Sequence, residues 1–455
     1  MRLASLACEK AEELGATEAE AYVQNTHTIR ISFTNEIQDI KTAESTCLGL
    51  RVALGKKIAM YSTSILDESE IIGVAKKVVK IAKVAPEDPY WIHMNRRYGK
   101  SLAKGYFDRA TATIEYDEIM ERLGSAISVL NERDERVKLT QGLLSLITSK
   151  VSVVNSYGQI LEDKETFALA EMRVNAKEAG LESTWNEHHQ ARSWDEIDLD
   201  SMAMNAVDKS VGFLSAKSIP TREMPVVLRN KIAAGIWGWM LFSPINADVV
   251  QKGGSPLGDK LGEQIASEDI NIIDDGTMTG GIRTRSFDDE GYPTQYTPVV
   301  EDGVLKNFLY DNYTALKDGV DSTGNATRLA YSLRARVSSS PRPSPTNLIL
   351  ENGSVGVDEI LQDTKRGLYV EQVIGEYLSN PVSGNLNVTV THGYVIEDGE
   401  LKEPVKGVVL AGNFHELLKD GFEVIGDDTE KYTTLSGSGF YSPTVKLRKL
   451  TVAGK

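Results

Sequence analysis

Val300-Glu301-Asp302-Gly303-Val304-Leu305-Lys306 and Ile396-Glu397-Asp398-Gly399-Glu400-Leu401-Lys402 read alike: a β-prone run, an Asp-Gly pair, and a second short run. Asp-Gly tolerates the positive φ of a two-residue hairpin turn, so each stretch predicts strand, tight turn, strand. An extensive antiparallel sheet produces such echoes without gene duplication. Outward from these hairpins, the chain after Met224 is mostly short strands punctuated by Asp-Gly and Asn-Gly, preceded by one apolar helix at about 231–243. Upstream, Lys150 to Asn155, Phe167 to Val174 and Leu181 to His189 are strand-like. The turn signals Ser156-Tyr157-Gly158 and Glu178-Ala179-Gly180 between them make an antiparallel meander. Strands that cluster, instead of alternating singly with helices, place the chain in the α+β class.

The first hundred residues mix both elements. A helix from Leu3 to Leu14 ends at Gly15, and short strands follow at Glu20 to Val23, His27 to Ile31 and about Cys47 to Ala53. Asp67 with Glu70 forms a capping-box pattern, with Leu66 and Ile71 as its hydrophobic staple, and Pro86 closes the helix. Ile71, Val74, Ala75, Val78, Ile81 and Ala82 make its apolar stripe, leaving Lys76, Lys80 and Lys83 on a solvated face. Ile119, Leu123, Ile127 and Leu130 predict a further helix, and Ser193 with Glu196 caps another through Met202, Ala206 and Val207. The helical pattern stops near Ile219-Pro220-Thr221. Three domains are therefore expected: 1–110, an N-terminal α/β segment; 111–220, a middle meander with flanking helices; and 221–455, a large β-rich domain.

The 455 residues carry 50 basic and 65 acidic groups, a net charge of −15, with 41% hydrophobic and 25% charged residues. That is a globular composition, and its acidity argues against nucleic acid, whose binding needs a cationic face to release counterions. Residues 255–330 alone hold 6 basic and 14 acidic groups. Cys8 and Cys47 are the only cysteines, so there is no disulfide framework and no CxxC pair, which fits a cytoplasmic protein. Two uncharged stretches do not suit a membrane: Ile232 to Ala247 contains Pro244 and falls short of ~20 residues, and Tyr377 to Ile396 is full of Ser, Asn, Thr and Gly.

Catalytic motifs are scarce. Gly55-Lys56-Lys57 lacks the frame of a phosphate loop. Neither Asn352-Gly353-Ser354-Val355-Gly356 nor Leu435-Ser436-Gly437-Ser438-Gly439 supplies a nucleophile elbow, and Ser101-Leu102-Ala103-Lys104 stands without its companion motifs. His415-Glu416 starts like a zinc helix, but Lys419 and Asp420 occupy the positions a second histidine would need. His188 and His189 point to opposite sides of a strand, which argues against joint chelation. Asp274-Asp275-Gly276 and Asp288-Asp289-Glu290-Gly291 lack the spacing of a calcium loop and read as turns.

Ser322-Thr323-Gly324-Asn325-Ala326-Thr327-Arg328 is more telling. Before it stands Ser286-Phe287-Asp288-Asp289-Glu290-Gly291, and after it Gly367-Leu368-Tyr369-Val370. Further on come Asn380-Pro381-Val382-Ser383-Gly384, Gly393-Tyr394-Val395-Ile396-Glu397-Asp398-Gly399, Ala411-Gly412-Asn413 and Ile425-Gly426-Asp427-Asp428. With Gly15 to Glu20 and Gly49 to Val52 at the start, the chain resembles the TldD/PmbA family, on its PmbA (TldE) branch, over nearly its whole length. The resemblance implies a cytoplasmic two-subunit zinc metallopeptidase that cleaves unfolded peptides, including modified-peptide precursors and antitoxins. In it a TldD-type subunit carries HExxxH and a late cysteine ligand, and the heterodimer partner is PmbA-like; an older family label is modulator of DNA gyrase. Counting back from Lys252-Gly253-Gly254-Ser255, the motif positions hold Gly238, Trp239 and Ser243, and no cysteine follows Cys47. No catalytic residue and no metal are therefore expected in this chain; zinc is expected on the TldD-type partner.

Trp237 and Trp239 stand as candidate interface anchors against a reading as core, and Asn325 and Arg328 as candidate peptide-binding groups. A homodimer of the isolated chain stays open. Two other readings belong to different classes. One is an autonomous peptidase with an unrecognised site, such as a metal on His188 or His189 with remote carboxylates. The other is a non-enzymatic binding protein associated with gyrase.

Overall fold

Alternation along Glu18 to Phe33 sets the first sheet: Ala19, Ala21, Ile29, Ile31 and Phe33 turn one way, and Glu20, Tyr22 and Gln24 the other, all of them buried. The computed structural model describes residues 1–328, 333–433 and 439–455. In it β1 (Glu18–Phe33), β2 (Ile37–Leu54), β3 (Lys57–Thr63), β4 (Val137–Asn155), β5 (Ile160–Glu178) and β6 (Leu181–Ala191) form one antiparallel sheet in the order β3-β2-β1-β4-β5-β6. The meander of β4 to β6 is as expected. The first strands are far longer than the short runs expected, because the polar Gln24-Asn25-Thr26 does not break the ladder. Gln24 Nε2 donates to Ser149 Oγ (2.9 Å) and Asn25 Nδ2 to Thr46 Oγ1 (2.7 Å), so polar cross-strand pairs carry the strand onward.

The sheet joins strands from both sides of residue 110: β1 pairs with β4 from Glu20↔Asn155 to Phe33↔Gly142. The short α3 (Arg109–Ala112) sits at that point, and four longer helices cover the sheet. The helices α1 (Arg2–Glu13) and α2 (Glu68–Val84) enclose a core of Ala19, Ala21, Leu48, Leu50 and Val52, while α4 (Tyr116–Glu132) and α5 (Leu199–Gly212) cover Ile29, Ile31, Leu144, Ala170 and Met172. Full burial of each such aliphatic side chain stabilises by roughly 1.5–3 kcal/mol. Asp67 caps α2, accepting from Glu70 N (2.8 Å), but the Glu70 carboxylate turns to Thr63 Oγ1 (3.4 Å). Ile81 is 43% exposed, off the buried stripe, and Val79 is buried in its place. Ser193 and Glu196 do form a capping box, around a single 3-10 turn; α5 opens later, at Asp198.

The C-terminal half contains β7 (Arg222–Leu228), α6 (Asn230–Phe242), β8 (Ile272–Asp275), β9 (Tyr296–Glu301), β10 (Val304–Leu305), β11 (Ala326–Thr327), β12 (Arg342–Pro343) and β13 (Asn347–Leu350). There follow β14 (Arg366–Ile374), β15 (Asn385–Glu397), β16 (Glu400–Val405), β17 (Val408–Asn413), β18 (Phe422–Ile425), β19 (Glu430–Thr433), β20 (Gly439–Ser442) and β21 (Val445–Ala453). One sheet runs β14-β7-β21-β17-β15-β16, and β14 also pairs with β15, so five strands close on themselves. A second runs β10-β9-β8-β13-β20-β19. Helix α6 lies in the core the two sheets share, among Leu228, Val370, Leu386 and Phe440. Both Asp-Gly hairpins form, with positive φ at Asp302, Gly303, Asp398 and Gly399, one in each sheet. The class is α+β with a β-rich C-terminal domain. Among the described residues no helix is long and apolar enough to cross a membrane.

Candidate functional site

Helix α6 is apolar on every side, so it has to be buried. Ala233, Ala234, Ile236, Trp237, Gly238, Met240 and Leu241 all are. Its glycines mark contact points. A Cβ on Gly238 would meet Phe440 Cγ at 2.3 Å, and one on Gly235 would meet the Tyr432 ring at 3.3 Å. Phe440 also lies 6.4 Å from the Trp237 ring and 6.2 Å from Phe242, closing an aromatic cluster over the helix. Trp237 is 3% exposed and is core, not an interface anchor. Trp239 is half-buried, its indole N–H reaching Ser379 O at 3.4 Å, and Ser243 ends the helix.

These positions do not suit a metal. Gly238 has no side chain to offer, Phe440 fills the space where one would go, and Trp239 has neither a carboxylate nor a basic lone pair. His415 Nε2 is engaged with Pro381 O (3.1 Å). His188 and His189 lie on β6 beside Lys231 and Lys431. Burial holds both imidazoles below their ordinary range, His189 at about 4 with Lys431 adding to the effect, an environment hostile to a further cation. Among the described residues no group of three His, Cys, Asp or Glu side chains is arranged to hold a metal ion. The Leu435-Ser436-Gly437-Ser438-Gly439 frame lies, apart from its last glycine, outside the described residues.

The second concentration of chemistry is an ion network between the first sheet and the C-terminal half. Asp288, Asp289 and Glu290, expected in a turn, are each 1% exposed, inside a loop bridged at Phe287↔Pro293. Arg51 on β2 donates to Glu20 (3.0 Å) on the neighbouring strand and to Glu290 (2.7 Å). Arg328 donates to the other Glu20 oxygen (2.7 Å) and to Ser339 O (2.8 Å). Arg285 holds Asp289 at 2.6 Å. Asn325 Nδ2 donates to Asp274 Oδ2 (2.6 Å) and Ser344 O (3.1 Å). Asn325 and Arg328 are thus engaged with the interior, each 1% exposed. Sequence reasoning missed Glu20, Arg51 and Asp311. The signal for the first two was charge inside an otherwise apolar strand, Glu20 between Ala19 and Ala21, and Arg51 between Leu50 and Val52.

Charge in this network is uneven. Burial alone would raise Asp289, but Arg285 and Arg336 hold it well below the usual carboxylate range. Burial and the nearby Glu290 push Asp288 well up, and push Asp311 up to about 7. Burial raises Asp274 to about 7 against the hydrogen bonds from Asn325 and Thr346. A carboxyl whose folded value is raised keeps its proton longer in the native state, so its stabilisation is full below about pH 4 and is lost as pH rises through about 7. Asp311→Asn should therefore flatten the fall in stability across that window, read from denaturant midpoints at several pH values. The amide keeps the N-cap that Asp311 provides to Thr314 N (2.8 Å), so loss of the cap does not confuse the result.

Two family descriptions match: PmbA/TldA metallopeptidase C-terminal domain over residues 221–454 and PmbA/TldA metallopeptidase central domain over residues 110–214. The chain is 26% identical to a metalloprotease PmbA homolog of Haemophilus influenzae, covering 99% of this chain and 95% of that one. It is 27% identical to a metalloprotease TldD homolog of the same organism, over 70% of this chain and 69% of that one. In fold it is similar to TldE from Thermococcus kodakarensis, with a TM-score of 0.89 at 23% identity over 99% of this chain and 100% of that one. The chain belongs to the PmbA/TldD family, a metallopeptidase-like group.

Proposed function

We propose that this chain is the metal-free, PmbA/TldE-type subunit of a two-subunit cytoplasmic peptidase, completing a chamber whose zinc and HExxxH sit on a TldD-type partner. Phe440 seated against Gly238 carries the reading, since the helix that would bear the motif is built as core. Its substrates are unfolded peptides, such as modified-peptide precursors and antitoxins, held through their backbone. The outer strand β6 supports this. Its outward main chain at Glu182, Thr184 and Asn186 is met by Lys406 Nζ, His392 and Gln372 Nε2, all from the C-terminal half. The same edge continues at His188 and Gln190 toward Lys231 and Lys431, and among the described residues nothing bonds to the outward carbonyls there. An extended peptide added at that edge is recognised without regard to its sequence. Asn325 and Arg328 act in this reading as positioning groups that lock the sheet to the C-terminal half.

The partner surface is proposed beside α6. Ile374, Tyr377, Leu378 and Val382 are 58–69% exposed in one stretch of chain, next to the Ser379 carbonyl that Trp239 contacts. Apolar groups clustered at the surface mark interaction sites. Co-expression with an HExxxH-bearing paralogue should yield a complex that cleaves unfolded peptides and loses activity to chelator, while this chain alone binds no stoichiometric zinc. Leu378→Asp should weaken that complex by roughly 2 kcal/mol or more while leaving the chain folded. Chelator-sensitive cleavage by this chain alone would sink the proposal, as would recovery from native cells with gyrase and no such paralogue.

A further inference from the structure

Two pairs of helices lie on one face of the first sheet, and they leave a strip of it uncovered. α1 and α2 cover the Ala19 and Ala21 end of β1, while α4 and α5 cover the Ile29 and Ile31 end. Between them Val23 and Asn25 share that face, with Leu48 and Thr46 opposite on β2 and Ser152 and Lys150 opposite on β4. A cleft of about 460 Å³ opens over this strip, within the roughly 300–1,000 Å³ usual for small-molecule sites. The other face of the sheet, with Glu20 and Tyr22, is the one that meets the C-terminal half.

The cleft is apolar along one side. Met1, Leu3 and Ala4 at the start of α1 line it together with Val23, Leu48 and Leu66. The charged side chains that line it already have partners. Lys150 binds Glu162 at 2.8 Å, and Arg2 binds Glu68. Burial would raise Glu162, but Lys150, the Ser152 hydroxyl (3.3 Å) and the Met1 amino group hold it below its ordinary range. An ionic ligand would therefore find no counter-charge to spare.

Hydrogen-bonding capacity does remain, at the polar end of the cleft. Asn25 Nδ2 donates to Glu44 (3.1 Å) and to Thr46 Oγ1 (2.7 Å). Among the described residues that leaves Asn25 Oδ1 without a donor and the Thr46 hydroxyl proton without an acceptor. An acceptor and a donor side by side suit a hydroxyl or an amide.

We propose that this cleft binds an uncharged amphipathic small molecule, its apolar body against Leu3, Val23, Leu48 and Leu66 and its hydroxyl or amide on Asn25 and Thr46. Apolar burial supplies the affinity, and the polar pair sets the orientation. The site lies apart from the β6 edge and does not depend on the peptidase reading.

Nile red, a neutral apolar dye, is the probe for the full chain. It should bind saturably, one per chain, and decan-1-ol should displace it. Decanoate and decyltrimethylammonium carry the same alkyl chain on an ionic head, and each should need a roughly tenfold higher concentration, because the head has to be desolvated without a partner. Thr46→Val should weaken displacement by decanol roughly fivefold, the worth of one hydrogen bond. Asn25→Trp, at a half-buried strand position, fills the cleft and should abolish dye binding, as should Leu3→Trp from the facing wall. Melting temperatures identify which of the two variants keeps the parent fold, and that variant decides. Absence of saturable binding to the parent would overturn the proposal, as would dye retained by a folded tryptophan variant or an ion that displaces as well as decanol. So would a dimer of the parent that the tryptophan variants turn into monomer, which would give the cleft to a second copy of the chain.

Discussion

Gly238→His is expected to destabilise the C-terminal domain by about 3 kcal/mol or more, with no gain of metal binding. In an exposed helix, replacing glycine by alanine gains about 1 kcal/mol of helix propensity. Here the first carbon of any side chain would lie 2.3 Å from Phe440 Cγ and 2.4 Å from Cδ2, well inside contact distance. Overpacking of a filled core costs typically 1–3 kcal/mol, and an imidazole adds further atoms to the same space. Gly238→Ala should accordingly be destabilising too, reversing the sign that propensity gives. Denaturant midpoints for Gly238→Ala, Phe440→Ala and the double variant check the cause. Phe440→Ala alone removes a buried ring, a loss of about 3–5 kcal/mol, but the pair should cost less than the sum because each change relieves the other. Additive costs, or a Gly238→His protein as stable as the parent, would show that Phe440 does not close the helix, and the non-catalytic reading would lose its main support.

Much of the fold was legible because it rests on local rules. The Asp-Gly hairpins, the β4 to β6 meander and α6 each announce themselves through turn residues and apolar periodicity within a dozen positions. What the sequence concealed is long-range. Gln24-Asn25-Thr26 looks like a break until Ser149 and Thr46 are placed opposite, and Ser149 is over a hundred residues away. The acidic loop at Asp288 to Glu290 reads as no more than a turn because its counter-charges, Arg51, Arg285, Arg328 and Arg336, come from both halves of the chain. For the same reason Asn325 and Arg328 stand out as special positions without revealing that they are interior. The positions compared with the metal motif are a different case. Gly238, Trp239 and Ser243 are visible by motif comparison, but the reason they fit lies in Phe440, two hundred residues on.

Arg51→Met tests how the two halves are joined, and the expected cost is about 3–5 kcal/mol. Arg51 is paired across the strands with Glu20 and reaches over the junction to Glu290, with its side chain 5% exposed. Removing the guanidinium leaves Glu20 with Arg328, but leaves Glu290 beside Asp288 and Asp311 with no cation to offset it. A buried carboxylate in that position has to take up a proton or be exposed to water. The defect should therefore shrink as pH falls. Glu290→Gln in the Arg51→Met background should recover part of the loss, since the amide carries no charge to strand. Because the lost pair bridges the first sheet and the C-terminal half, the denaturation curve should also broaden or split when tryptophan fluorescence and far-ultraviolet circular dichroism are followed together. A single sharp transition within about 1 kcal/mol of the parent would mean that apolar packing around Tyr22, Phe287 and Val337 joins the halves without help from the ions.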